Sequence, residues 1–219
     1  MKRLEKQQSE RTSNEKVRYI CVALSYRGYW RSRGRPSQRG IELDAGAALD
    51  WVNEFNNSQG STDVILWGQS LGAGVALNAL YRYYKFRSTK KATRSVVVKG
   101  VVLETPFTSI RNMLVALYPQ RWLPYRYLWP FLRSDWDSIR NLHQLANFAE
   151  VKLVPFLVVR AGNDEIVPAD QAGQLLTTAQ SVGIEMKEQA VSNALHNEAS
   201  AKSAGQIAIT EFIDQVVGQ

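Results

Sequence analysis

Three residues, in one chain order, carry the chemistry open to this sequence: a serine in Gly68-Gln69-Ser70-Leu71-Gly72, an aspartate in Gly162-Asn163-Asp164, and a histidine in Leu195-His196-Asn197. A serine hydroxyl is a poor nucleophile at neutral pH. It needs a base within hydrogen-bond reach, and the base needs a third group that fixes its tautomer. The pattern G-x-S-x-G alone arises by chance in about one chain of this length in fifteen, taking Gly and Ser each near 7%. Its context adds weight, because the apolar run 64–67 enters it and a small-residue helix with Gly72, Ala73, Gly74 and Ala76 leaves it. A serine on so tight a strand-to-helix turn takes strained backbone angles and wants glycine neighbours. The helix starts at the nucleophile, so the Leu71 backbone N–H is expected to face a tetrahedral oxyanion, where the helix dipole favours negative charge. A glycine-rich turn of this kind can instead cradle a phosphate, and that reading stays open.

The base is chosen from two histidines. His143 lies in a helical segment upstream of the best acid, whereas His196 lies in the loop SNALHNEAS between the last strand and the last helix. The order Ser, acid, His selects His196. The acid comes from FLVVRAGNDEIVPAD, which sets Asp164 within one turn of a strand's carboxyl end. Glu165 and Asp170 compete. Asp170 stands at a helix start, where an N-cap role accounts for it. This acyl-transfer mechanism calls for no metal and no cofactor.

These residues must be held by a scaffold, and the apolar pattern says which. Residues 17–25 (VRYICVALS) read as a strand buried on both faces. Residues 41–55 read as a helix with Ala48, Trp51, Val52 and Phe55 on one face. The alternation continues with a strand at 63–68, a helix at 71–84, strands at 96–103 and 151–160, a helix at 171–181, a short strand at 184–190 and a closing helix at 201–217. Its apolar side is Ile207, Ile209, Phe212, Ile213 and Val216. Strand and helix in alternation predict an α/β domain, a doubly wound and mostly parallel sheet covered on both faces. Residues 118–136 break the rhythm with aromatics and prolines. They are expected as a small cap over the strands' carboxyl ends, or as aromatic packing that merely closes the domain.

The chain has 219 residues, 45% of them hydrophobic and 21% charged, which bounds it to one ordinary globular domain, 17–219, behind a polar segment at 1–16. One cysteine, Cys21, cannot form an internal disulfide and reads as a small buried hydrophobe. Nothing in the sequence resembles a signal peptide or a bilayer-length apolar run, so the chain as written is expected to be a soluble intracellular protein, and a monomer. The net charge of +7 gathers in Arg27, Arg31, Arg33, Arg35 and Arg39 and in residues 82–94. No zinc-finger, RNA-recognition or helix-turn-helix pattern accompanies it. A solvated basic face is therefore preferred to a nucleic-acid site.

The segments SYRGYWRSRGRPSQRGIELDAGAALDWV, GQSLGAGVALNAL, LETPFTSI, GNDEIVP and LHNE resemble the Bem46-like α/β-hydrolases, a eukaryotic group well represented in fungi. The resemblance runs from about residue 17 to the end of the chain. It implies a serine-hydrolase fold with Ser70, Asp164 and His196 at the family's triad positions. At lower similarity the chain resembles acyl-protein thioesterases and prolyl-peptidase-type hydrolases. The function expected is hydrolysis of a carboxylic ester or thioester, on a small molecule or an acyl-protein or lipid substrate. A peptidase and a catalytically impaired binding or scaffold protein are the alternatives.

In that family an earlier strand ends in a His-Gly-Asn-type loop that supplies the second oxyanion donor. No such segment is found here, so the N-terminal strands are expected to be missing. The absent strand would lie between the strand at 17–25 and the nucleophile strand. Backbone groups facing such a gap cost about 1–3 kcal/mol each when buried and unpaired. A truncated start at Met1 is expected, or else a rearranged sheet. The family also tends to carry an upstream membrane anchor, which implies endomembrane association for a longer form.

Overall fold

The computed structural model of the chain describes residues 17–55, 62–89, 96–117 and 134–218. The polar segment 1–16 and the greater part of the expected cap, 118–133, lie outside the described residues. The elements run α1 (Gln38–Phe55), β1 (Thr62–Gln69), α2 (Leu71–Thr89), β2 (Val96–Glu104), α3 (Ile110–Leu117), α4 (Ser138–Leu145), a 3-10 turn (Ala149–Leu153), β3 (Phe156–Ala161), α5 (Ala169–Ser181), β4 (Met186–Val191) and α6 (Ser203–Val217).

The four strands form one parallel sheet in the order β1-β2-β3-β4. Successive side chains on a strand point to opposite faces, and here both faces are apolar. Val101 and Leu103 of β2 and Phe156 and Val158 of β3 pack under α2, α4 and α5, with Leu77, Leu80, Leu142 and Leu175. Val102, Leu157 and Val159 pack on the other face under α6, against Ile209, Phe212, Ile213 and Val216. The two-sided burial expected of a doubly wound sheet is present. A third cluster joins α1 to α2 through Ile41, Ala45, Val75 and Ala79 and includes Phe107 and Trp136. The register of β1 against β2 slips between Val64 and Ile65.

Because the strands are parallel, their carboxyl ends share one rim. Ser70 follows β1 directly, Asp164 lies three residues past β3 and His196 five residues past β4. The topology alone thus brings three residues spread over the chain to one edge of the sheet.

Several sequence expectations are corrected. Residues 17–25 form no strand. A strand needs a neighbour for its N–H and C=O groups, and β1 is the edge of the described sheet. The segment is instead pinned by side chains at its two ends: Tyr19 packs against the cluster under α6, and its hydroxyl donates to Asp214 at 3.4 Å, while Tyr26 packs against the third cluster. Between these anchors Ile20, Val22 and Leu24 are exposed, and so is Cys21, which is not the buried hydrophobe expected. On α1 the buried residues are Gly40, Ile41 and Ala45, whereas Trp51 and Phe55 are exposed and stack on each other with centroids 5.0 Å apart. The run 151–160 divides, since a 3-10 turn takes its first residues and β3 begins only after Pro155. Of the two short helices, α4 is the helical segment expected around His143, whereas α3 was not read from the pattern. Of the expected cap, Trp136 is buried against Gly74 and Phe107, and Gln38 grips its neighbours, donating its N–H to Ser134 Oγ and accepting from the Asp135 and Trp136 N–H groups.

Candidate active site

Ser70 sits at φ 52°, in the left-handed region that L-residues with side chains rarely adopt. The turn is fixed on both sides. Its N–H donates to the Glu104 carbonyl at 2.8 Å, and its carbonyl accepts from the Ala73 N–H at 2.9 Å. A side chain at position 68 would run into the Gly72 carbonyl, so the first glycine of the motif is sterically obligatory. The second is not: a Cβ on Gly72 would meet only the Tyr26 hydroxyl, at 3.7 Å. Leu71 opens α2, and its N–H has no intrahelical acceptor.

His196 is 3% exposed. Its Nδ1 lies 2.9 Å from both Oδ1 and Oδ2 of Asp164, which is nearly as buried. Asp164 is itself held in place, because Oδ1 accepts the N–H groups of Ile166 at 2.9 Å and Val167 at 2.8 Å. Those two backbone bonds hold the carboxylate beside Nδ1, where as an acceptor it takes the Nδ1–H, so Nε2 is the ring nitrogen left to act as base. Ser70 Oγ makes no hydrogen bond to the imidazole in this structure, so the geometry joins acid to base and leaves the serine outside that hydrogen-bonded pair.

The competing acids take different places. Glu165 Oε2 accepts the His196 backbone N–H at 2.9 Å, which ties down the histidine loop rather than the ring. Asp170 is not the cap expected: Pro168 occupies the N-cap, and the Asp170 carboxylate accepts from Gln174 Nε2 within α5. His143 lies in the last turn of α4.

One residue that the sequence reading passed over belongs with the site. Glu104, the last residue of β2, is 2% exposed. Its carbonyl receives the Ser70 N–H, and its carboxylate accepts the Ser200 N–H at 2.8 Å, four residues past His196. A single buried residue therefore spans the serine turn and the histidine loop. A glutamate closing an apolar run, VVLE, was the available signal.

Comparison with known proteins gives a consistent likeness. Residues 3–188 match the model of the Alpha/beta hydrolase family. The lysophosphatidylserine lipase ABHD12 of Macaca fascicularis is 34% identical over 167 residues, covering 74% of this chain and 38% of that protein. Protein ABHD12B of Homo sapiens is 33% identical over 168 residues, covering 74% and 42%. The chain thus spans about two fifths of the length of these relatives. Among solved structures, the Pyrococcus furiosus esterase Pf2001 superposes with a TM-score of 0.59 at 16% identity, covering 88% of this chain and 66% of that one. A puromycin-hydrolyzing peptidase of Mycobacterium tuberculosis gives 0.52 at 16% identity, covering 80% and 25%. Likeness at that identity speaks for the fold alone.

Proposed function

The chain belongs to the alpha/beta hydrolase family, and we propose that within it the chain works as a serine hydrolase on a carboxylic ester or thioester. The observation that carries this reading is the buried imidazole of His196, 2.9 Å from both oxygens of Asp164 and on the same rim as a serine at φ 52°. A buried His–Asp pair costs desolvation that packing alone does not explain, whereas a general base needs it.

In this mechanism His196 Nε2 takes the Ser70 hydroxyl proton as Oγ attacks the substrate carbonyl. The tetrahedral oxyanion faces the Leu71 N–H and the positive end of α2. The intermediate collapses when His196 returns the proton to the leaving alcohol or thiol, and an acyl-Ser70 ester remains. Water then repeats the sequence, with His196 as base, and releases the carboxylic acid. The Asp164 carboxylate holds Nδ1–H throughout and steadies the imidazolium. The aromatic composition of residues 118–136 favours an acyl or lipid-like group over a sugar, and the lipase name of a relative agrees with that choice. Within the family we assign the chain to the Bem46-like group, which the quoted motifs resemble. We take the active unit to be a monomer.

A second reading, a hydrolase-fold binding protein without turnover, is favoured by the lack of a bond from Ser70 Oγ to the imidazole. A fluorophosphonate probe separates the two. An activated serine reacts with it, an ordinary serine does not. Labelling that disappears in Ser70→Ala is expected; labelling that persists in that variant, or no labelling of the wild-type chain, overturns the hydrolase assignment.

A further inference from the structure

We propose that the arginine turn at residues 26–39 docks this domain on an anionic lipid surface, with Trp30 entering the headgroup layer. The inference is independent of the catalytic reading.

From residue 17 to residue 41 the chain carries six arginines and no aspartate or glutamate. Only one of the six, Arg27, has a carboxylate partner among the described residues: its guanidinium and backbone N–H grip Asp44 at 2.6 to 3.0 Å. That pair fastens the turn to α1. Arg31, Arg33, Arg35 and Arg39 are exposed, and no ion pair among the described residues neutralises them. A charge so one-signed and unbalanced attracts an anionic surface.

At the tip stands Trp30, 86% exposed and at φ 47°. For a bulky side chain this backbone region is a genuine outlier, and a glycine would occupy it without strain. The surrounding hydrogen bonds hold it there. Gly28 N–H donates to the Ser32 carbonyl at 3.1 Å, Ser32 N–H to the Tyr29 carbonyl at 2.9 Å, and Ser32 Oγ to the Ser25 carbonyl at 2.8 Å. The fold thus spends backbone strain to hold an indole out in solvent, where packing returns nothing. The Arg31 guanidinium lies 5.2 Å from the ring centroid, so aromatic and cation form one unit at the tip. Indole beside arginine suits the membrane interface, where the ring sits at headgroup level and the cation meets phosphate.

Two neighbours point the same way. Ile20, Val22 and Leu24 are exposed beside the turn, apolar area that a lipid surface covers and a nucleic-acid backbone does not. An open cleft of about 540 Å³ is lined by Leu24, Ser25, Arg33 and Arg35 and by the Arg27–Asp44 pair, whose acid is already neutralised by its arginine, so its unpaired charge is positive and suits an anionic headgroup. Tyr26, at the foot of the turn, reaches within 3.7 Å of where a Gly72 side chain would stand. The foot of the turn thus meets the second glycine of the serine motif.

The test is co-sedimentation of the full chain with vesicles of phosphatidylcholine, with and without phosphatidylserine, at low and high salt. Binding to the phosphatidylserine vesicles, weakened by salt, is expected. Each arginine near such a surface contributes about fivefold in partition, so Arg31→Glu, Arg33→Glu and Arg35→Glu together should lower it by about a hundredfold or more. Trp30→Ala should lower it about tenfold. Trp30→Gly keeps the test clear of folding defects: it relieves the backbone strain, so its melting temperature should rise while vesicle binding falls, a split that a structural role does not produce. Ser70→Ala should bind vesicles like the wild type, which separates this surface from the catalytic site. Equal binding to both vesicle types, undiminished binding by the arginine or Trp30 variants, or tighter binding to a single-stranded RNA oligomer than to the phosphatidylserine vesicles would overturn the proposal.

Discussion

Asp164→Asn changes one atom of the site and should remove nearly all turnover while leaving the fold intact. In the wild type, Oδ1 receives two backbone donors, Ile166 N–H and Val167 N–H, while both oxygens face His196 Nδ1 at 2.9 Å. An asparagine here can seat its amide only one way. Its oxygen must stay with the two backbone donors, because the reversed amide would set an NH₂ group against them. The NH₂ then occupies the Oδ2 position and points a hydrogen at Nδ1. The imidazole answers by moving its own proton to Nε2, and in that tautomer it cannot take the serine proton. Loss of the correct tautomer in a serine triad costs about 10⁴ in kcat, which is about 5.4 kcal/mol of barrier. Asp164→Ala should lose activity on a similar scale but fold less well. Val167 is buried and Ile166 exposed, so mainly the Val167 donor is orphaned. That costs about 1–3 kcal/mol, a melting temperature lower by roughly 2–12 °C for a chain of this size. Turnover of a short p-nitrophenyl ester and thermal melts of the three proteins supply the measurements. A kcat for Asp164→Asn within tenfold of wild type, or the same melting temperature for the two variants, would refute the reasoning.

Gly68→Ala should unfold earlier, by at least about 2 kcal/mol, since the new methyl meets the Gly72 carbonyl and the backbone must shift. Gly72→Ala, with only the Tyr26 hydroxyl nearby, should melt no lower than wild type and can gain up to about 1 kcal/mol of helix propensity; differential scanning calorimetry of the pair decides. The Arg27 guanidinium, chiefly through its hydrogen bond, holds the Asp44 carboxyl below its ordinary value. A carboxylate shifted down stabilises the fold above the unfolded-state value, near pH 4, and ceases to do so as the pH falls through the lowered folded-state value. The deficit of Asp44→Asn in urea melts should therefore be full at neutral pH and close in strong acid, and a deficit that does not change with pH would contradict it.

The fold was legible where the sequence spoke in two-sided apolar runs. VVLE in β2 and FLVV in β3 have apolar side chains for both faces of a covered sheet, and no other structure buries such a run so economically. Residues 17–25 have the same signature and form no strand. Pattern reports what a segment could bury, whereas a strand also needs a partner beside it, and a neighbour is not written in the segment's own residues. The same holds for Trp51 and Phe55, which share a helical face with Ala48 and Val52 but are exposed, while the buried residues of α1 are Gly40, Ile41 and Ala45 in its first half. The helices α3 and α4 are eight residues each, close to the length at which tertiary packing rather than periodicity decides.

The candidate site divides along similar lines. Ser70, Asp164 and His196 could be named because a parallel sheet puts the ends of its strands on one rim, so chain order and strand position suffice to nominate them. What sequence order could not convey is how loops with no regular structure hold a ring in place. Two carboxylates do that work here. Glu165 receives the His196 N–H, and Glu104 receives the Ser200 N–H, so the backbone on both sides of the imidazole is bonded to an acid rooted in a neighbouring strand or loop. In linear sequence Glu165 competes with Asp164 for the role of triad acid, and Glu104 reads as the polar end of a strand. Side-chain direction resolves both, since a carboxylate aimed at a backbone N–H orients the loop, while one aimed at Nδ1 orients the proton. The serine turn and the histidine loop come from elements more than a hundred residues apart. Glu104 ties them at one residue, its carbonyl accepting the nucleophile's N–H and its carboxylate accepting a donor of the base's loop, so any motion that parts them must break one of these two hydrogen bonds.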